Sequence, residues 1–279
     1  MKLRLTDFLG FVLLLMFAPK SWAGCSTSIE WMSCNVLQGI QHRPFLVCLP
    51  EGYENSAKQY PVLYLLHGGG CDYTQWEEFG HLSHVVDSLV EAKAIEPMII
   101  VCPQANDNVM TWFDDPRRNF ETYFFKELVP YIQTHYRTYI DKEHRAVAGF
   151  SMGGGGSVVY GIHHPEMFST VYAISAYLRR QPLDFLKNDP LGEWRQQVVE
   201  RNNPIKTVGA SDENQQKQLK SMKWFIDCGS QDFTYQANQD FCHVLDQKGI
   251  SYQYIPRDGA HNWEYWRPAL ARALINVFK

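Results

Sequence analysis

The chain has 279 residues, of which 45% are apolar and 14% aromatic, enough to bury one large hydrophobic core. Its 26 basic and 30 acidic residues give a formal net charge of -4 and form no basic run, which argues against binding to nucleic acid. No internal repeat or low-complexity linker divides the sequence, so we expect a single domain over residues 24–279.

The first 23 residues have the three regions of a secretory signal peptide. Two basic residues precede an apolar stretch over 8–18, which is too short to span a bilayer, and small residues stand at positions 21 and 23. The pattern predicts cleavage after Ala23 and export to the periplasm or the extracellular space. The alternative is a lipoprotein anchored through Cys25, because Ala23-Gly24-Cys25 resembles the end of a bacterial lipobox, although Lys20 and Trp22 are unusual there.

Short apolar runs predict eight strands, with helical patterns such as 123–136 and 235–248 between them. The strands are expected at 29–37, 45–49, 61–66, 98–101, 145–150, 170–174, 224–228 and 252–255. This alternation predicts an α/β fold with a mostly parallel sheet of about eight strands and helices on both faces. In such a sheet, ligands bind at the carboxyl ends of the strands.

The strand at 61–66 ends at a His-Gly-Gly-Gly run over 67–70. Glycines allow backbone N–H groups to approach a ligand closely. We expect Gly69, or next Gly68, to supply such an N–H. His67 is interpreted as a structural clamp on this loop, poorly placed to reach a reacting serine.

The strand at 145–150 runs into Gly149-Phe150-Ser151-Met152-Gly153, and a helix-compatible stretch follows. A serine on so sharp a turn needs glycine two residues before and after it, because side chains there would collide with the crossing strand and helix. The pattern predicts a nucleophile elbow at Ser151. The N–H of Met152 is then the second expected donor of an oxyanion hole.

Two more side chains complete the pattern. Asp232 follows the strand at 224–228, and His261 follows the strand at 252–255. A serine hydroxyl needs a base to take its proton, and the imidazole needs a carboxylate to fix its tautomer. The order serine, acid, histidine is that of α/β-hydrolase triads. Asp227 and Asp258 are weaker candidates for the acid, because one lies inside a strand and the other is too near His261 in sequence.

Four blocks of sequence resemble the esterase D superfamily of α/β-hydrolases. The blocks are 148–156, 164–168, 228–233 and 259–266, and the similarity runs from about Phe45 to the C-terminus. This superfamily includes tributyrin esterases, the feruloyl and acetyl-xylan esterases of carbohydrate esterase family one, S-formylglutathione hydrolases, enterochelin esterases and mycolyltransferases. The resemblance assigns the family's roles to Ser151, Asp232, His261, Met152 and the loop at Gly68 and Gly69. Tributyrin esterase relatives more often have Tyr-Gly at 155–156, where this chain has two glycines.

Segment 179–222 is polar and interrupted by prolines, and it is interpreted as an insertion that forms a small cap. Four tryptophans near the expected mouth are candidates for an acyl or phenolic pocket, although tryptophan more often fills a core. They are Trp76, Trp112, Trp263 and Trp266.

The seven cysteines leave two interpretations open. Either the pair Cys34 and Cys48 or the pair Cys228 and Cys242 forms a disulfide, or the cysteines are buried free thiols. No spacing resembles a zinc site, so the histidine pairs at 81/84 and 163/164 are interpreted as ordinary helix residues.

The sequence thus predicts an exported serine esterase that needs no cofactor or metal. Export disfavours the cytosolic thiol ester S-formylglutathione. Feruloyl or acetyl esters of plant polysaccharide are the first expected substrates, and short-chain acyl esters are the second. The alternatives are an acyltransferase of the mycolyltransferase type, or a siderophore-ester hydrolase or non-catalytic binding protein on the same scaffold. The oligomeric state is open.

Overall fold

A computed structural model describes residues 24–105, 112–115, 118–178 and 188–279. The predicted signal peptide over 1–23 and the first part of the predicted insertion, 179–187, lie outside these residues. The strands are β1 (Ser26–Ser33), β2 (His42–Leu49), β3 (Val62–Leu66), β4 (Ile99–Pro103), β5 (Asp114–Asp115), β6 (Arg118–Asn119), β7 (Arg145–Phe150), β8 (Thr170–Ile174), β9 (Lys223–Gly229) and β10 (Gln253–Arg257).

Helices connect most of these strands. They are α1 (Gln75–Glu78), α2 (Leu82–Glu91), α3 (Phe120–Tyr123), α4 (Val129–His135), α5 (Met152–His163), α6 (Gly192–Arg201), α7 (Pro204–Gly209), α8 (Glu213–Lys220), α9 (Tyr235–Gln247) and α10 (Trp263–Asn276). A π-helical turn, Phe124–Leu128, joins α3 to α4 and continues them as one helical segment. The helix expected at 123–136 therefore begins three residues earlier, at Phe120.

Within the described residues, eight strands form one sheet in the order β1-β2-β4-β3-β7-β8-β9-β10, and β5 and β6 form a separate hairpin. The pairs from β4 through β10 are all parallel, whereas β2 is antiparallel to both of its neighbours. The predicted fold class is confirmed. The first strand is Ser26–Ser33, not 29–37, because a turn in which the Cys34 N–H donates to the Gln41 carbonyl at 2.9 Å ends it early.

The inner strands of the sheet are buried on both faces. Along β3, Val62, Tyr64 and Leu66 face one core, which α5 and α9 cover, while Leu63 and Leu65 face a second core with α2 and α10. Strands buried on both sides read as continuous apolar runs, which is why the sequence predicted most of them.

The described part of the insertion packs on the body of the domain. Five of its side chains are buried in the same core as α5 and α9, and α7 contacts both of those helices. These side chains are Val198, Val199, Val208, Leu219 and Met222. That the insertion also covers the site stays a prediction.

All seven cysteines lie in the described residues and have free thiols. Cys34 and Cys48 cannot pair, because they belong to the cores on opposite faces of the sheet. Cys228 and Cys242 are also unpaired, and burial raises the pKa of each thiol to about 12. The structure thus has buried free thiols, the second of the two interpretations.

Glycines let α5 cross close over the strand ends. A Cβ at Gly153 would lie 2.4 Å from the Leu66 carbonyl oxygen, and one at Gly149 would lie 2.5 Å from the backbone of Gly153. Gly155 and Gly156 also allow close approach. A Cβ at Gly155 would lie 2.4 Å from the Tyr177 carbonyl oxygen, and a Cβ at Gly156 would lie 2.8 Å from the Trp112 ring. The tyrosine that relatives carry at 155 would not fit here.

Candidate active site

Ser151 occupies a strained turn between β7 and α5. Its φ of 55° and ψ of -120° lie where residues other than glycine are uncommon. Hydrogen bonds hold the turn: the Ser151 N–H donates to the Ile174 carbonyl at 3.0 Å, and its own carbonyl accepts from Gly155 and Tyr177 at 3.0 and 2.8 Å. The serine hydroxyl is therefore held at the carboxyl edge of the sheet.

The structure brings together the three residues expected to form a triad. His261 Nε2 is 2.8 Å from Ser151 Oγ, and His261 Nδ1 is 2.9 Å from both carboxylate oxygens of Asp232. An ionised carboxylate can only accept hydrogen bonds, so the imidazole nitrogen that faces it, Nδ1, carries the hydrogen. Nε2 is then free of hydrogen and accepts the hydrogen bond from the serine hydroxyl. This geometry is that of a general base oriented by an acid.

Asp232 is buried, with 4% of its surface exposed, and is heavily hydrogen bonded. The Thr234 N–H and hydroxyl both donate to Oδ1 at 2.8 Å, and the Ser175 hydroxyl and His261 donate to the carboxylate as well. Burial alone would raise the pKa of Asp232, but these hydrogen bonds outweigh it and hold that pKa below its usual value. The carboxylate therefore stays ionised at neutral pH.

Ser175 is a residue that sequence reasoning missed. It is fully buried directly after β8, and its φ of 45° is in the left-handed region. Its Oγ accepts from Trp266 Nε1 at 3.1 Å and bonds to the carboxylate of Asp232. Its position at a strand end was the one available signal, and a lone serine there is common.

Asp227 and Asp258 have other partners. Asp227 is fully buried and accepts hydrogen bonds from the Tyr172 and Tyr265 hydroxyls at 3.0 and 2.5 Å, as well as from Arg272 at 3.1 Å. Asp258 is exposed and accepts from the Ser230 hydroxyl at 2.8 Å. Neither carboxylate contacts His261 in these hydrogen bonds.

The buried Asp227 also holds the loop that carries His261. Arg257 lies just before this loop and donates to Asp227 at 3.1 Å, while Tyr265 lies just after it. The Arg257 guanidinium also stacks 3.6 Å from the centre of the Tyr265 ring. Both ends of the loop are thus tied to one carboxylate on β9.

The two residues predicted to supply oxyanion donors, Gly69 and Met152, are neighbours in the structure. A Cβ at Gly69 would lie 2.5 Å from Met152 Sδ, and Met152 is the first residue of α5. The Gly68 carbonyl accepts from His67 Nδ1 at 2.7 Å and from the Cys71 N–H at 3.4 Å. Because the Gly68 carbonyl and the Gly69 N–H belong to one trans peptide and point in opposite directions, these bonds also fix the direction of the Gly69 N–H.

His67 holds this peptide as a neutral ring. The Ala105 N–H donates to its Nε2 at 3.0 Å, so Nδ1 carries the proton that is donated to the Gly68 carbonyl. Burial lowers the pKa of His67 to about 4. These contacts are those of the clamp expected from the sequence.

Two of the four candidate tryptophans are supports and not pocket walls. Trp76 is fully buried and donates from Nε1 to the Leu66 carbonyl at 3.2 Å. Trp112 is 2% exposed and donates to the His67 carbonyl at 3.1 Å. The expectation that they contact substrate is wrong, because neither ring has surface to offer. Trp263 is half-buried and remains a candidate, whereas Trp266 packs buried against His261.

Across the described residues, no group of three or more histidine, cysteine or acidic side chains could hold a metal ion. His163, at the end of α5, and the following His164 both bond to Glu121, at 2.7 and 3.1 Å. His81 lies just before α2 in the left-handed region and not inside the helix. In the same described residues, no helix is long and apolar enough to cross a membrane.

Comparison with known proteins shows the family of this chain. A family model described as "Putative esterase" matches residues 40–277. The chain belongs to this esterase family. The resemblance to esterase D-like proteins inferred from the four sequence blocks is therefore confirmed.

Similar proteins include a solved ferulic acid esterase. Its structure is 39% identical, with a TM-score of 0.83 over 91% of this chain and 98% of the other. The endo-1,4-beta-xylanase/feruloyl esterase of Xylanibacter ruminicola is 27% identical over 84% of this chain, and Esterase Rv1288 of Mycobacterium tuberculosis is 38% identical over 48%. The chain spans 29% of the length of each of these two curated relatives.

Replacing Asp232 with asparagine tests the acid. Asp232→Asn should lower kcat by about 10³- to 10⁴-fold, because the amide no longer fixes the histidine tautomer or stabilises the imidazolium. Ester hydrolysis measured at neutral pH, with circular dichroism to confirm folding, gives the result. The matched control is Asp258→Asn, which should keep near-normal activity. Near-normal activity of Asp232→Asn would assign the role to another carboxylate.

The buried His67 predicts a pH dependence of stability. Its pKa is lower in the folded chain than in the unfolded chain, so the unfolded chain binds the extra proton first as the pH falls below about 6.5. The free energy of unfolding should fall by about 3 kcal/mol between pH 7 and pH 4 from this group. Urea denaturation should show a smaller fall for His67→Asn, which cannot titrate. Equal falls in both proteins would contradict the assigned neutral state.

Proposed function

We propose that this protein is a serine carboxylic-ester hydrolase that works through an acyl-enzyme. One observation carries the proposal: Ser151, His261 and Asp232 form a continuous hydrogen-bonded chain with distances of 2.8 and 2.9 Å. Membership of the esterase family supports the same chemistry.

In the acylation step, Ser151 Oγ attacks the ester carbonyl carbon while His261 Nε2 takes the hydroxyl proton. The N–H groups of Met152 and Gly69 stabilise the negative charge that develops on the carbonyl oxygen, each contributing about 3 kcal/mol. The carbon–oxygen bond to the alcohol then breaks, and His261 gives its proton to the departing alcohol oxygen.

Deacylation repeats these steps with water. His261 takes a proton from water, which attacks the acyl carbon, and the proton returns to Ser151 Oγ as the acid leaves. Asp232 stays ionised throughout and steadies the imidazolium in both halves of the reaction. No cofactor takes part in this sequence.

We propose feruloyl or acetyl esters of plant polysaccharide as the first substrate class and short-chain acyl esters as the second. The names of the similar proteins support this order, since they include a ferulic acid esterase at 39% identity and a xylanase/feruloyl esterase. An acetyl esterase of Caldicellulosiruptor saccharolyticus, 22% identical, is also similar.

We further propose that the chain is exported and cleaved after Ala23, without lipidation. The contacts of Cys25 support the absence of a lipid. Its N–H donates to Asp87 at 2.7 Å, and its thiol lies 3.6 Å from the Ser83 carbonyl oxygen and packs against the core. A thioether-linked lipid would replace the thiol hydrogen and so remove the contact with the Ser83 carbonyl. Mass spectrometry of the mature protein should find Gly24 at the N-terminus, and a diacylglyceryl group on Cys25 would overturn the proposal.

Substrates test the activity directly. The purified protein should release acid from p-nitrophenyl acetate and from methyl ferulate. Ser151→Ala should lose at least 10³-fold on both, because the nucleophile is removed. Failure of the wild-type protein on both esters would contradict ester hydrolysis.

The same assay separates hydrolysis from acyl transfer. With glycerol or trehalose present, free acid should remain the main product. Accumulation of a new ester would instead support an acyltransferase.

A further inference from the structure

Phe233 is an exposed aromatic side chain beside the triad. It directly follows Asp232, 71% of its surface is exposed, and its ring centre is 4.5 Å from that of His261. Moving an aromatic ring out of water lowers the free energy. A ligand that covers an exposed ring next to the triad imidazole would therefore be stabilised by that contact.

The other aromatic ring against His261 cannot play this role. Trp266 lies 4.9 Å from the imidazole, but it is buried and its Nε1 is committed to Ser175. Of these two rings, Phe233 is the one with surface to offer.

The chemistry of the triad places the alcohol part of an ester near the imidazole. His261 Nε2 must give its proton to the departing alcohol oxygen, so the group attached to that oxygen extends past the edge of the imidazole. The carbonyl oxygen points elsewhere, toward the N–H groups of Met152 and Gly69. A ring that packs on the imidazole from the solvent side therefore borders the alcohol and not the oxyanion.

Tyr177 extends this surface. It is half-buried after β8, its N–H donates to the Ser151 carbonyl at 2.8 Å, and its ring centre is 6.3 Å from that of Phe233. Phe233 and Tyr177 thus form an aromatic pair at the ends of two neighbouring strands, and we name this pair the aromatic shelf. The shelf is open to solvent at Phe233, which suits a large alcohol that keeps one face in water. A sugar ring has this character, with an apolar C–H face for the aromatic ring and hydroxyls for the solvent.

We propose that the aromatic shelf, Phe233 and Tyr177, binds the alcohol part of the ester and favours a sugar over a small alcohol. This inference rests on the proposed ester hydrolysis by Ser151 and deepens it. Phe233 is then the specificity-determining residue for the alcohol.

Two esters of the same acid test the proposal. They are methyl ferulate and 5-O-feruloyl-L-arabinofuranose, and the readout is the ratio of kcat/KM for the sugar ester to kcat/KM for the methyl ester. Phe233→Ala should lower this ratio about tenfold, because an aromatic contact with the sugar is lost while the acyl group is unchanged. Phe233→Tyr, which keeps the ring, should leave the ratio within about twofold.

The matched control is Trp31→Ala, which removes an exposed ring, 61% accessible, on β1 at the opposite edge of the sheet. Its ratio of kcat/KM for the sugar ester to kcat/KM for the methyl ester should equal that of the wild-type protein. An unchanged ratio in Phe233→Ala, including an equal loss on both esters, would overturn the shelf as an alcohol subsite. A wild-type protein that cleaves neither ferulate would instead overturn the feruloyl specificity together with the subsite, so the two failures are distinguishable.

Discussion

The hydrogen bond between Ser151 and His261 joins residues that are 110 positions apart in sequence, and it depends on strands that end at the same edge of the sheet. β7 and β10 are separated by β8 and β9, so the loops after β9 and β10 must bend back across the end of β8. Adjacent strands lie about 4.8 Å apart, so β7 and β10 are about 14 Å apart, and the two loops cover this distance together with the Asp232 and His261 side chains. The strained turn presents the Ser151 hydroxyl at the edge of the sheet, and the loops after β9 and β10 bring Asp232 and His261 to it.

Two buried polar groups explain how the loops keep that path. Ser175, at the end of β8, forms a hydrogen bond to the Asp232 carboxylate. Asp227 accepts hydrogen bonds from Arg257 and Tyr265, which lie at the two ends of the loop that carries His261. Burying a carboxylate with arginines is a poor source of stability in itself, because desolvation offsets most of the attraction. We therefore attribute this cluster to positioning: it holds the imidazole where the serine and the acid need it.

The sequence predicted the residues whose roles depend on local pattern. Glycines flank Ser151 as the turn requires, and Asp232 and His261 lie in the loops that follow two apolar strands, so the chain itself indicates where these residues stand. Ser175 and the partners of Asp227 could not, since their roles arise from strands that meet only in the folded sheet. The sequence could offer Trp76 and Trp112 only as pocket candidates, because composition does not distinguish a ring that lines a cavity from one that supports it.

A fluorophosphonate probe followed by peptide mass spectrometry shows whether the Ser151 hydroxyl is the nucleophile that His261 and Asp232 activate. We expect one adduct, on Ser151, and its loss in a protein that lacks the His261 imidazole. An unlabelled protein, or an adduct on a different residue, would contradict it.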